Sequence, residues 1–155
     1  MSEPRIDTAS LLIKASPQKI YHALITQSAI RQWKAPEGMH MEIFHFNSRI
    51  NGTYKLALRY DDRKKKGKSE GHSDLINGRF LELVPGKKIV ETIQFESANQ
   101  LFAGEMSMTT ELSPQKNGTL VTLTAENVPA GITPEHHAIG MQPSLTSLDR
   151  YINKS

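Results

Sequence analysis

Five apolar residues towards the end of the chain, Ala138, Met141, Leu145, Leu148 and Ile152, recur at intervals of three and four. That spacing puts them on one stripe of a single helix, running from Thr133-Pro134-Glu135 to Tyr151-Ile152. Such a stripe must be buried against another apolar surface. Between Arg49 and Val128 the chain reads as short strands with few helical signals, so the surface available to the stripe is a sheet. A sheet that wraps one helix has to curve, and it leaves a gap between its concave face and the helix. That gap is the expected functional site.

The remaining elements follow from period and punctuation. Thr8 to Lys14 alternates weakly and then runs apolar at Leu11-Leu12-Ile13, as a strand does. Ser16-Pro17 sets a capping hydroxyl before a proline at the first helical position, and Ile20, Ala23 and Leu24 follow at helical spacing to about Thr26. A second short helix is expected over Ser28 to Trp33, capped by Ser28 and stopped by Pro36-Glu37-Gly38. From Met39 the period drops to two, with Met41, Ile43 and His45 on one face and Phe44 and Phe46 on the other. Asn51-Gly52 is expected to be a two-residue hairpin turn, both positions at positive φ. Tyr54, Leu56, Leu58 and Tyr60 then face inward, and Asn77-Gly78 marks a turn or bulge before Arg79 to Val84, whose inward parity stays open. Ile89, Glu91, Ile93 and Phe95 share one face. Met106, Met108, Thr110 and Leu112 share the next, and Val121, Leu123 and Ala125 the last. The predicted fold class is α+β: a curved antiparallel sheet of about six strands around a long C-terminal helix, with two short helices after the first strand.

At 155 residues the chain has the length of one domain, and residues 1–155 are expected to form one. A compact chain of this size removes about 68–70% of its unfolded surface from water, so its core needs no covalent staples. Cysteine is absent, which excludes disulfides and thiolate zinc sites. The first residues, Met1-Ser2-Glu3-Pro4-Arg5-Ile6-Asp7, carry no apolar signal core, and no run reaches the roughly 18 apolar residues of a membrane span. A soluble cytoplasmic protein with no membrane partner is expected. The net charge of +3 is concentrated in Arg63, Lys64, Lys65, Lys66 and Lys68; without these five the rest of the chain is net negative. The run contains no aromatics for base stacking, so it is expected to be a solvated hairpin tip in preference to a phosphate-binding patch, and no nucleic-acid partner is implied.

The segments Ala15-Ser16-Pro17-Gln18-Lys19-Ile20-Tyr21-His22-Ala23-Leu24, Arg49-Ile50-Asn51-Gly52-Thr53-Tyr54, Gly78-Arg79-Phe80-Leu81-Glu82-Leu83-Val84-Pro85 and His137-Ala138-Ile139-Gly140-Met141, with Leu145 and Leu148, occur in that order almost end to end. Together they resemble the successive signatures of the START-like (SRPBCC) superfamily. More narrowly, they resemble the single-domain branch named after the activator of the ninety-kilodalton heat-shock chaperone's ATPase. The resemblance implies a helix-grip fold whose cavity binds apolar molecules, in a few members with acid-base chemistry inside. Two positions depart from the pattern: Asn51 stands for a common glycine, and Met141 for a common tryptophan on the helix face toward the cavity. On that resemblance no counterpart is expected here of the activator's separate N-terminal region, on which its chaperone stimulation chiefly depends.

Candidate chemistry is sparse. The six histidines, His22, His40, His45, His72, His136 and His137, form no i, i+4 helical pair, so no metal site is implied, and no cofactor either. No Gly-x-Ser-x-Gly elbow seats a nucleophilic serine. Glu91 lies among apolar neighbours on an inward face, with Glu82 and His137 as candidate companions. It is either a desolvated acid-base group or polar ligand contact, or a carboxylate paired with a cation at the rim. His137 either points into the cavity mouth or lies on the surface. Trp33 and Tyr54 combine an apolar body with one polar atom, and Met106, Met108 and Met141 either fill core or line an adaptable pocket. The expected cavity lining is Trp33, Tyr54, Leu56, Leu58, Glu91, Ile93, Met106, Met108, His137, Met141 and Leu145, around a volume of about 300–1,000 Å³. Pro143 is expected to kink the last helix near Gly140. The leading expectation is a binding protein for a small apolar or amphipathic ligand, monomeric or homodimeric. The alternatives are a chaperone-associated protein acting through its surface and a cyclase- or hydrolase-type enzyme using Glu91 and His137.

Overall fold

The structure, a computed structural model, describes residues 6–34, 39–60, 73–96, 104–129 and 134–154; of 39, 60, 73, 74 and 134–140 the backbone alone is described. In chain order the elements are β1 (Ile6–Ile13), α1 (Pro17–Ile25), α2 (Gln27–Trp33), β2 (Met39–Phe46), β3 (Thr53–Tyr60), β4 (Ser73–Val84), β5 (Lys88–Phe95), β6 (Glu105–Gln115), β7 (Gly118–Glu126) and α3 (Pro134–Ile152). The strands form one antiparallel sheet in the order β1-β7-β6-β5-β4-β3-β2, an open curved sheet with α3 on its concave face, consistent with a helix-grip. There are seven strands where about six were expected. The expected first strand, Thr8 to Lys14, is β1, and despite its weak alternation it pairs with β7 along its length, from Ile6 opposite Glu126 to Ile13 opposite Thr119.

The helix stripe is buried as its spacing requires: Met141, Leu145, Leu148 and Ile152 all lie in the interior, while the side chain of Ala138 falls outside the described residues. Helix α3 continues through Pro143. Its close backbone neighbours are β1, α1 and α2, so it leans on one edge of the sheet and stands off the central strands. Side chains and a cavity fill the space between. At α1, Ser16 caps the helix by accepting from the backbone N–H of Lys19 at 3.2 Å. The cap of α2 differs from expectation. Thr26, not Ser28, is the N-cap; it supplies no side-chain capping bond, and its hydroxyl donates at 2.6 Å to the His22 carbonyl in the last turn of α1.

Two bulges reset the inward parity. In β2 the register shifts between Ile43 and His45, so Phe44 and Phe46 do not share a face. Phe46 turns inward onto Tyr54 and Phe80, whereas Phe44 is 47% exposed. His45 leaves the face of Met41 and Ile43 and bonds Thr53 Oγ1 at 3.2 Å among exposed groups. In β4 the shift lies between Phe80 and Glu82, which expels Leu81 to the surface and settles the open parity: Ile76, Gly78 and Phe80 face inward, then Leu83. Asn77-Gly78 is therefore continuous strand, paired with Lys55 and Tyr54.

The expected two-residue turn at Asn51-Gly52 is also replaced. The Arg49 carbonyl accepts from the Gly52 N–H at 2.8 Å, and Asn51 alone takes positive φ, at 65°. Gly52 is needed for space, since a Cβ there would collide with the Asn47 carbonyl oxygen. The basic run Arg63 to Lys68 lies outside the described residues.

Candidate functional site

The inward faces of β3 to β7 and the stripe of α3 enclose a cavity of about 230 Å³. Its walls include Trp33, Tyr54, Leu56, Leu58, Glu91, Ile93, Met106, Met108, Met141 and Leu145, ten of the eleven residues expected to line a cavity. The side chain of His137 lies outside the described residues. Lys34, Ile76, Thr110, Ser144 and Leu148 also line the cavity. Of these, Thr110 and Ser144 were accessible to spacing arguments, because Thr110 alternates with Met108 and Ser144 lies three residues from Met141. Lys34 carried no such signal: it follows the last residue of α2. The volume is below the expected 300–1,000 Å³. Long side chains from two elements, Met106 and Met108 on β6 and Met141 and Leu145 on α3, line the space that the curvature opens.

The polar centre of the site is a pair of residues from strands that are not neighbours. Tyr54 on β3 donates its hydroxyl to Glu91 Oε1 on β5 at 2.5 Å. It can do so because Gly78 on β4 stands between them: a Cβ at Gly78 would overlap the Tyr54 ring, so only glycine lets the ring lie flat across that strand. Phe46 and Phe80 hold the ring, with centroids 5.7 and 5.4 Å from that of Tyr54. The Lys34 ammonium lies 5.6 Å from the Tyr54 ring centroid, within cation–π range. The other aromatic polar atom is already used, since Trp33 Nε1 donates to the Ala23 carbonyl at 2.9 Å.

Glu91 is 8% exposed, and the described residues give it neither of its expected settings. It is neither isolated on an apolar wall nor paired with a cation at the rim; its partner is a neutral phenol. Among the described residues that is its one side-chain hydrogen bond, and no sealed side-chain polar atom there lacks a partner. Glu91 lines the cavity, and among the described residues its second carboxylate oxygen has no hydrogen-bond partner. Glu82, a candidate companion, lies outside: the β4 bulge turns it to solvent, where it meets Lys88 Nζ at 3.6 Å. Among the described residues no three histidine or carboxylate side chains converge as a metal site would need. No helix there is long and apolar enough to cross a membrane.

Burial, and then the neighbouring Glu91 charge and hydrogen bond, push the Tyr54 phenol well above its ordinary 10.0. The fold thus favours the protonated phenol. Its contribution is fully present below the unfolded value and is lost as pH rises from about 10 towards the folded value. Urea unfolding between about pH 9 and 11 should show wild type losing up to about 1.4 kcal/mol more per pH unit than Tyr54→Phe. Parallel curves would mean that Tyr54 is not a buried donor.

The same architecture recurs in solved structures. A crystal structure of a Chromobacterium violaceum protein is 28% identical, with a TM-score of 0.86 over 97% of this chain and 98% of that one. A solution structure from Arthrobacter aurescens (12% identical, TM-score 0.80, covering 97% and 87%) and one from Staphylococcus epidermidis (16%, 0.79, covering 99% and 93%) share the fold. No curated protein matches the chain. The family model described as "Activator of Hsp90 ATPase homolog 1-like protein" matches residues 14–153, from the end of β1 through α3, and so takes in both the sheet and the helix that build the cavity. On that match the chain belongs to the Activator of Hsp90 ATPase homolog 1-like family, of START/SRPBCC type.

Proposed function

We propose that this protein binds a small, mostly apolar molecule in the cavity between the sheet and α3. One observation carries the proposal: a mostly apolar cavity is lined by a carboxylate, Glu91, whose second oxygen has no hydrogen-bond partner among the described residues. A bound molecule that donates to this oxygen makes a hydrogen bond in surroundings that are otherwise mostly apolar. An apolar cavity of about 150 Å³ accommodates benzene, so 230 Å³ suits one substituted ring. The family's name suggests association with a chaperone, a reading that would use the surface and leave the cavity idle.

The test is thermal unfolding of wild type and Met108→Trp in the presence of ethylbenzene. Met108 is half-buried and lines the cavity, so the indole should occupy the space a ring would take. Wild type should be stabilised by about 2.7 kcal/mol at a hundred times Kd, and the variant should not respond. An equal response from both would place binding elsewhere. No response from wild type, together with saturable binding of purified chaperone, would favour the surface reading.

A further inference from the structure

We infer that the cavity selects a protonated amine carried on a compact hydrocarbon body, with the ammonium held by Glu91; this rests on the cavity being a binding site. Tyr54 donates to Oε1, which fixes the carboxylate as an acceptor and orients it. Glu91 sits between Phe80 on β4 and Met108 on β6, so its immediate strand neighbours supply no charge. Among the described residues no Lys, Arg or His forms an ion pair with it, although other carboxylates, Glu42, Glu82 and Glu96, each have one. An ionised carboxylate has about four lone-pair sites and no proton to give, so what binds it must donate. A neutral donor supplies a hydrogen bond alone. An ammonium supplies the hydrogen bond and a countercharge, in surroundings where charges are weakly screened.

Lys34 is the competing feature. Its ammonium is held near the Tyr54 ring and lines the same cavity. If Lys34 set the preference, the ligand would be an anion. The two settings are separable because Lys34 joins from the end of α2, whereas Glu91 projects from the middle of the sheet.

Four probes of similar shape test the inference by calorimetry at neutral pH: ethylbenzene, benzyl alcohol, benzylamine and benzoate. Benzylamine should bind about ten-fold more tightly than benzyl alcohol, and benzoate should be weakest. Glu91→Gln should bring benzylamine to the level of benzyl alcohol and leave ethylbenzene unchanged. Tyr54→Phe, which releases both carboxylate oxygens, should keep or increase the preference for the amine. Equal binding of amine and alcohol by wild type would overturn the inference, as would benzoate binding tightest, and either result would leave the cavity as a binding site. Failure of all four probes, ethylbenzene included, would overturn both readings.

Discussion

Leu148→Ala should lower the free energy of unfolding by about 2–5 kcal/mol, the usual cost of truncating a fully buried leucine. Leu148 is 1% exposed and belongs to the main core with Ile20, Trp33 and Val121. Because α3 stands off the central strands and borders the cavity, little backbone is positioned to collapse onto the lost side chain. That places the cost in the upper part of the range, since it grows with the void left behind. Ile50→Ala is the matched control: Ile50 is exposed in the turn between β2 and β3 and should change stability by no more than about 0.5 kcal/mol. Urea denaturation of the two variants reads the difference directly. A loss below about 1 kcal/mol for Leu148→Ala would mean that α3 does not grip the sheet through this face.

The stripe that contains Leu148 was legible because a helix repeats its inward positions every three or four residues and nothing interrupts that count between Met141 and Ile152. The same holds for the central strands, where Leu56, Glu91, Met106 and Val121 fall inward by simple alternation. Alternation fails where the backbone adds a residue. The bulges at Phe44 and Leu81 exchange inside for outside within one strand, and neither local sequence distinguishes an inserted phenylalanine or leucine from a core one. The partner of Glu91 was illegible for a different reason. Tyr54 and Glu91 are 37 residues apart on strands separated by a third, and their meeting depends on a glycine in that third strand. Asn77-Gly78 looks like turn punctuation in one dimension. In three, Gly78 is the gap through which a phenol reaches a carboxylate.

Gly78→Ala should therefore be among the most damaging single-methyl additions available to this protein. The new Cβ would overlap Cζ, Cε2 and the hydroxyl of Tyr54. The ring is 1% exposed and packed against Phe46 and Phe80, so it cannot retreat without displacing other core side chains. Overpacking of this kind costs about 1–3 kcal/mol, and moving the hydroxyl away from Glu91 adds about 1–3 kcal/mol for a buried acceptor left without its donor. A total of about 2–6 kcal/mol is expected, with loss of ring-probe binding, since the displaced ring must move into or across the cavity wall. A double-mutant cycle isolates the cause. Gly78 takes no positive φ, so a strand alanine is acceptable there on backbone grounds. In a Tyr54→Ala background the same Gly78→Ala change should cost less than about 1 kcal/mol, and the coupling between the two positions should exceed about 2 kcal/mol. If the two losses simply add, the ring does not lie across Gly78, and the Tyr54 hydrogen bond that presents Glu91 to the cavity loses its structural basis.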